Sequence, residues 1–318
     1  MNCPPVLFLI FNRPEVTARV FARIREARPK QLFVAADGPR SDCRGDAAQC
    51  DHARECVDQV IDWPCETRRL YRERNYGCRK AVSSAIDWFF EHVEKGVILE
   101  DDCHPEPSFF PFCAELLDRY RNDTRIMQIA GTNLGLIGED DIPGSYCFSR
   151  FGPIWGWATW RRAWTNYDVN MASWPKQKEM NFLSCVCTSP EEIEWRTEQF
   201  NYVYEARIDT WDYQWQYSKM IERGLTVIPR ANLISNVGFS VSATHTKLPN
   251  RSKADLPTRP IDLPLIHPET VAPCFEFDDA FLNQALAKSR ISDTFKRTLR
   301  PLIPIVEFFL TKWFRRYS

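Results

Sequence analysis

The chain has 318 residues, 44% of them hydrophobic, which is enough for one large α/β domain or two small ones. Its 41 lysines and arginines nearly balance 42 aspartates and glutamates, which argues against a polyanion-binding surface and against nucleic acid as a partner. No apolar run approaches the length needed to span a membrane.

Twelve cysteines are spread along the chain without a CxxC pair, which argues against a zinc ribbon or a thioredoxin-like motif. The N-terminus enters a predicted strand directly, with no basic segment or cleavage site, so we expect a cytoplasmic protein with reduced thiols. If the chain is secreted instead, the five cysteines from Cys43 to Cys78 could form disulfides.

The first hundred residues alternate apolar runs with helical periodicity. Strands are predicted at 6–11, 32–36, 68–71 and 97–99, and helices at 15–26, 46–58 and 78–94. Further strands are predicted at 126–130, 146–149, 225–229 and 232–235, with two helices within 190–223. This alternation predicts an α/β fold with a Rossmann-like, mostly parallel central sheet and helices on both faces. Neither GxGxxG nor GxxxxGK[ST] is present.

Three predicted strands end in polar residues: Asn12-Arg13, Asp37, and Glu100-Asp101-Asp102. Ligands of such sheets bind beyond the carboxyl ends of the strands. Adjacent carboxylates repel one another, and a hard cation such as Mg²⁺ or Mn²⁺ offsets that cost while leaving positions for phosphate oxygens. The alternative is a solvated acidic turn, but the apolar strand before it and the aromatic segment 107–112 after it favour a metal site. Pro105 is expected to stop further strand pairing.

The order of these pieces continues with Gly131-Thr132-Asn133, the Gly-Trp segment 152–164, Trp211-Asp212 and a late His245. The set resembles the nucleotide-sugar glycosyltransferases of the GT-A fold, similar to the inverting N-acetylglucosaminyltransferase I family and to bacterial hemolytic-protein-like sequences. The resemblance covers roughly residues 4–250. It departs from the Golgi family in having no membrane anchor or stem, and in reading Trp-Asp-Tyr-Gln-Trp at 211–215 rather than Trp-Asp-Asp-Trp.

The resemblance implies transfer of a sugar from a nucleoside-diphosphate donor, a UDP-sugar, to a glycan or lipid-linked acceptor, with Mn²⁺ or Mg²⁺ as cofactor. Asp212 would be the general base of an inverting reaction, and Asp102 and His245 would bind the metal. The donor would contact Asn12, Arg13, Asp37, Glu100, Asp101 and Asn133. Tryptophan is concentrated between Trp155 and Trp215, and the flat faces of Trp155, Trp157 and Trp211 are predicted to bind the acceptor, unless they form an aromatic core.

Four of these residues could instead have a purely structural role. Arg13 could cap or pair locally, Asp37 could serve only a turn, and Asp212 could be an acid at a helix start. His245 could be structural. The alternative enzyme is a sugar-nucleotide pyrophosphorylase, although residues 11–14 lack the glycine-rich phosphate loop typical of that class. A non-enzymatic carbohydrate-binding or membrane-active protein is the alternative from another class.

We expect a catalytic domain at 1–250, with a nucleotide-sugar-binding half at 1–135 and an acceptor-binding half at 136–250. Residues 251–318 are predicted to form an extended strap and a tail. The tail, residues 296–318, carries six lysines and arginines against one acid, interleaved with large apolar residues. This composition predicts a helix from near Pro304 that contacts the inner face of the plasma membrane, or alternatively packs back on the domain. Bacterial surface polysaccharide or lipopolysaccharide assembly would be the setting.

Overall fold

The computed structural model describes residues 3–138, 140–238 and 256–299, with the backbone alone for 288–299. The strands are β1 Val6–Ile10, β2 Gln31–Ala36, β3 Glu66–Tyr71, β4 Lys95–Glu100, β5 Cys103–Pro105, β6 Ile126–Ala130, β7 Tyr146–Ser149, β8 Trp157–Trp160, β9 Leu225–Pro229 and β10 Ile234–Asn236. The helices are α1 Pro14–Ala27, α2 Asp46–Asp58, α3 Gly77–His92, α4 Phe109–Arg119, α5 Arg161–Trp164, α6 Trp174–Glu179, α7 Pro190–Tyr204, α8 Asp212–Ile221 and α9 Phe275–Leu299, with a 3₁₀ turn at Phe182–Cys185.

Eight strands form one sheet in the order β3-β2-β1-β4-β8-β6-β9-β7. Six of them run in one direction, while β8 and β7 are antiparallel to their neighbours. The predicted fold class is therefore confirmed: this is an α/β protein with a mostly parallel central sheet flanked by helices. A second, two-stranded sheet pairs β5 with β10.

The alternation of side chains along β1 explains why both faces of the sheet are covered. Val6, Phe8 and Ile10 face a core shared with α1 and α4, whereas Leu7 and Leu9 face a core shared with α3 and α8. All five are buried, as expected of a parallel strand between two helical layers.

Two local predictions were wrong. Pro105 does not stop pairing, because it lies opposite Ile234 in the small antiparallel sheet. The segment 157–160 was expected to present flat tryptophan faces, but it forms β8, a fully buried strand between β4 and β6. α9 begins at Phe275, and the helix predicted from near Pro304 lies outside the described residues.

The part of the chain after residue 255 that the structure describes packs onto the preceding residues. Ile261, Leu265 and Phe277 are buried, and the Phe281 ring stacks on Phe151 with centroids 4.6 Å apart. These contacts hold the described part of 256–299 against the preceding residues, and the predicted boundary at 250 stays a prediction. The predicted membrane-contacting residues 300–318 lie outside the described ranges. In the described part of the chain, no helix is long and apolar enough to cross a bilayer.

A buried ion pair fixes the start of α9. The Asp278 carboxylate accepts hydrogen bonds from Ser149 Oγ and, at 2.9 Å, from Arg150 Nε. Removing one partner of a buried pair leaves the other without compensation.

We expect Asp278→Ala to lower the free energy of unfolding by roughly 2–3 kcal/mol, because Arg150 and Ser149 lose their acceptor. Its neighbour Asp279 is exposed. The control Asp279→Ala should therefore change the free energy by less than about 0.5 kcal/mol in the same urea titration. Equal effects of the two substitutions would contradict a specific role for the ion pair.

Candidate functional site

A cavity of about 420 Å³ lies at the carboxyl ends of β1, β2 and β4. These strands are neighbours in the sheet and run parallel, so the polar residues that follow them meet at one edge. The lining includes the predicted Arg13, Asp37, Glu100, Asp101 and Asp102. Their convergence is what the order of strand ends predicted, and their individual roles stay predictions.

Arg13 joins the end of β1 to the acidic turn after β4. Its guanidinium forms an ion pair with Asp101, and its Nη2 donates to Asp102 Oδ2 at 3.0 Å. Asp101 is only 4% exposed, and Arg13 covers it. The Asp102 side chain is 18% exposed. Of the two aspartates, Asp102 is therefore the one that remains more open to the cavity.

Glu100 is the acid of this cluster with which Arg13 forms no direct ion pair. No residue that the structure describes donates a hydrogen bond to its carboxylate. Burial, and then the charges of Asp102 and Asp101, raise the pKa of Glu100 to about 8. A cation placed between Glu100 and Asp102 would lower that pKa and remove the repulsion.

The charge of the lining also fits a cation. Its acids are Asp37, Glu100, Asp101, Asp102 and Asp209, and its bases are Arg13, Arg40 and Arg72. Across the described ranges, no group of three or more His, Cys, Asp or Glu side chains is arranged to hold a metal ion. An ion bound here would complete its shell with water and phosphate oxygens, as Mg²⁺ commonly does. The predicted metal ligand His245 lies outside the described residues.

Asp37 shapes the cavity wall from inside. Its carboxylate accepts from the backbone N–H groups of Gly38 at 2.9 Å, Tyr76 at 3.0 Å and Gly77 at 3.2 Å, and from Asn75 Nδ2 at 3.0 Å. Four donors fill the acceptor sites of one carboxylate. We therefore expect Asp37 to hold the 75–77 turn, and its predicted contact with a base stays untested.

Asn12 acts on the cavity through a neighbouring loop. Its amide donates to Asp46, which also accepts from the backbone N–H and the Nε of Arg40, both at 2.9 Å. Hydrogen bonds from Arg40 lower the pKa of Asp46 to about 2. The network leaves the Arg40 guanidinium over the Phe11 ring, 5.3 Å from its centroid, at the cavity.

Sequence reasoning missed Arg40 and Arg72. Both follow strand ends, Arg40 after β2 and Arg72 directly after β3, so the rule that found Arg13 could have found them. Arg72 Nη2 donates to Ser84 Oγ at 2.7 Å, and its guanidinium lies 5.1 Å from the Tyr76 ring centroid. These contacts hold a cation at the cavity wall.

Two aspartates lie where α8 approaches the cavity. Asp209 lines it, and its carboxylate accepts the N–H groups of Cys78 at 2.8 Å and Arg79 at 3.0 Å, at the N-terminus of α3. Asp212 is the first residue of α8 and accepts a hydrogen bond from Thr210 Oγ1. Asp212 is not among the residues that line the cavity, but its charge contributes to the raised pKa of Glu100, and its role as base stays a prediction.

Several predicted contacts are not available at the cavity. Trp157 and Trp211 are 1% and 2% exposed and stack on each other in the core, with centroids 5.6 Å apart, whereas Trp155 lines the cavity. Asn133 is buried, and its amide donates to the Arg230 carbonyl at 2.8 Å, which fixes a turn. The assignments of Trp157 and Trp211 to the acceptor and of Asn133 to the donor are therefore replaced by packing and turn-forming roles.

Comparison with protein-family models finds no match, and comparison with curated proteins finds none either. Among solved structures, a cytidylyltransferase from Leptospira borgpetersenii is 10% identical, covering 65% of this chain and 73% of its own, with a TM-score of 0.34. HddC from Yersinia pseudotuberculosis is 7% identical, covering 50% and 77%, with a TM-score of 0.31. A UTP-bound UGPase from Acinetobacter baumannii is 8% identical, covering 52% and 78%, at 0.29. TM-scores of this size carry no inference, so the function is argued from the site itself.

The tryptophans offer a matched test of this placement. Trp157→Ala should lower the free energy of unfolding by about 4 kcal/mol, because it empties a fully buried site beneath α8. Trp155→Ala should cost about 1–2 kcal/mol, because its side chain is half-buried. Chemical denaturation monitored by far-UV circular dichroism measures both, and a smaller loss for Trp157 would contradict its core position.

Proposed function

We propose that this protein is a metal-dependent glycosyltransferase that uses a nucleoside-diphosphate sugar, with a UDP-sugar as the first donor to test. The observation that carries the proposal is the cluster Glu100, Asp101 and Asp102, which shares one strand-end cavity with Arg40 and Arg72. Carboxylates for a cation and guanidinium groups for phosphate then lie in the same wall.

Asp102, with Glu100 beside it, would hold the cation. When bound, Mg²⁺ or Mn²⁺ supplies charge neutralisation for a diphosphate leaving group. Arg13 keeps Asp101 and Asp102 in place, since its guanidinium bonds to both carboxylates. The acids of the lining outnumber its arginines, so we expect the diphosphate to bind weakly without the cation.

The remaining walls suit the other parts of such a donor. Arg40 and Arg72 can neutralise phosphate oxygens, and Ile154 and Trp155 offer apolar area for a flat ring. A volume of about 420 Å³ lies within the usual range for small-molecule sites. Asp37 would act as a positioning residue, because it fixes the 75–77 turn that forms one wall.

Asp212 is the proposed general base. The hydrogen bond from Thr210 orients its carboxylate at the start of α8. Its task would be to take the proton of the acceptor hydroxyl, while the sugar moves from diphosphate to acceptor. The acceptor class, a glycan or a lipid-linked sugar, is part of this proposal.

A sugar-nucleotide pyrophosphorylase is the alternative that needs the same sheet and cation. Its phosphates would need a loop of free backbone N–H groups after β1, whereas here Pro14 lacks the N–H and begins α1. The position of Pro14 and the pairing of Arg13 with the acids favour glycosyl transfer. A carbohydrate-binding protein without catalysis would have no use for Asp212 beside the cation site.

One assay separates these functions. In the first arm the full chain is incubated with Mn²⁺, a panel of nucleoside-diphosphate sugars and a panel of glycan and lipid-linked acceptors, whose hydroxyl groups, or water, take the sugar. In the second arm it is incubated with Mn²⁺, nucleoside triphosphates and sugar 1-phosphates. Release of nucleoside diphosphate in the first arm supports a glycosyltransferase. Release of pyrophosphate in the second arm would identify a pyrophosphorylase, and release in neither arm would overturn the proposal of an enzyme of this type.

Asp102→Ala should weaken Mn²⁺-dependent UDP binding at least about 10-fold while the fold persists, because a ligand and not a core residue is lost. Isothermal titration calorimetry with and without Mn²⁺ measures the effect. Asp62→Ala is the control, since Asp62 pairs with Arg25 at an exposed site. Unchanged binding by Asp102→Ala would place the cation elsewhere.

Asp212→Asn keeps the shape of the side chain but cannot accept a proton, so we expect kcat to fall roughly 10²-fold or more with donor binding retained. Asp209→Asn is the matched control, because asparagine also accepts the hydrogen bonds at the N-terminus of α3. Steady-state kinetics on the donor found above compare the two. A larger loss in Asp209→Asn would transfer the role of base to Asp209.

A further inference from the structure

A second cavity, of about 250 Å³, lies beside Leu225, the first residue of β9. It is therefore at the amino-terminal end of a parallel strand, whereas the first cavity is at the carboxyl ends. Its walls come from α7, the second half of α8 and the 3₁₀ turn. The polar and charged side chains that line it are mostly cationic: Arg150, Glu192, Arg196, Gln216, Lys219 and Arg223.

Arg196 lines this cavity with a buried donor unpaired. The residue is 3% exposed, and its Nε–H has no hydrogen-bond partner among the residues that the structure describes. Its Cζ lies 4.4 Å from the ring centroid of Trp195 and 5.0 Å from that of Phe151. Cation–π contacts hold the guanidinium in place but leave the Nε–H unsatisfied. Burial lowers the pKa of Arg196 to about 10.

Lys219 is the second cation without an acid. It is 0% exposed, and its Nζ donates to Thr226 Oγ1 at 2.7 Å. Gly152 makes room for the amine, since a Cβ at that position would lie 2.1 Å from Nζ. Burial, and then the charge of Arg196, lower the pKa of Lys219 well below its usual value.

The two nearby acids are already committed. Asp278 accepts from Arg150 Nε at 2.9 Å, and Glu192 lies 3.4 Å from Arg150 Nη1. Glu192 also accepts the Thr188 N–H at 2.9 Å. Both carboxylates form ion pairs with Arg150. The charge of Glu192 also acts on Arg196, and that of Asp278 on Lys219, but in the described chain neither acid lies within ion-pair distance of these cations. Buried cations without a partner are costly, and an anion in the cavity would offset that cost.

We propose that this second cavity, whose lining includes Arg196 and Lys219, binds an oxyanion, the phosphate or carboxylate group of a small molecule. Arg223 is exposed at its mouth and provides a positive entrance. The site lies across the sheet from the proposed donor cavity, so it is an additional site and does not depend on the glycosyltransferase function.

The test uses thermal unfolding of the full chain at constant ionic strength, with inorganic phosphate in one arm and acetate in another. At phosphate concentrations 100-fold above the dissociation constant, we expect the wild-type Tm to rise by about 5 °C. Arg196→Met and Lys219→Met should each lose this shift. Without phosphate, Lys219→Met should unfold at or above the wild-type Tm, because an apolar chain replaces a buried cation.

Two controls locate the anion. Arg207→Met removes an exposed arginine that pairs with Glu205, and it should keep the phosphate shift. Arg72→Met removes a cation of the first cavity and should keep it too. A shift lost in Arg72→Met but retained in Arg196→Met would place phosphate in the first cavity and overturn the proposal.

Other results would overturn it as well. No phosphate or acetate shift in the wild-type chain would exclude an anion site. The same shift in the wild type, Arg196→Met and Lys219→Met would show a non-specific salt effect. If Lys219→Met and Arg196→Met both unfold several degrees below the wild type in phosphate-free buffer, with no shift lost, the cations serve the fold alone.

Discussion

The Arg13 guanidinium, shared between Asp101 and Asp102, is the contact on which the rest of the site depends. Pairing of β1 with β4 brings Leu9 opposite Glu100, so the residue three positions beyond β1 reaches the acids beyond β4. Without that positive charge, three consecutive carboxylates would repel one another at a buried strand end.

The backbone of Gly238 packs over the ion pair of Arg13 with Asp102. A Cβ at this position would lie 2.4 Å from Asp102 Oδ2 and 2.8 Å from Arg13 Nη1. Any residue with a side chain at this position would have to push the ion pair apart.

The helix α8 connects the two cavities. Asp212 begins it beside the first cavity, and Lys219, seven residues later, lines the second. At 1.5 Å per residue, the two side chains start about 10 Å apart along one rigid element. Between them, Trp215 donates from its indole Nε1 to Gln128 Oε1 at 3.0 Å, which anchors the helix to β6. This bond, and the burial of Trp215, fix the middle of α8 against the sheet.

The sequence allowed the parallel half of the fold and its polar strand ends to be predicted, because each depends on residues close together in the chain. The βα units of the first hundred residues, and the convergence of Arg13, Asp37 and Asp102, follow from periodicity and from the rule about strand ends. Apart from Arg40 and Arg72, what was missed depends on distant packing. The sequence favours an exposed Trp157, and only the pairing of β8 with β4 and β6 shows that it is buried. Asp209 accepts a hydrogen bond from the N–H of Cys78, which is 131 residues earlier in the chain. The second cavity could not be predicted, since Arg196 and Lys219 look like ordinary cations on amphipathic helices.

The position of β8 has a consequence for how the chain acquires its structure. Strands β1 to β4 pair among themselves and use residues up to 100, so this part can form as soon as it leaves the ribosome. The outer edge of β4 is then unpaired until residues 157–160 arrive, because β8 joins β4 to β6. An unpaired apolar strand edge is prone to association with other chains. A nascent chain that ends before Trp157 therefore carries this edge of β4 without its partner.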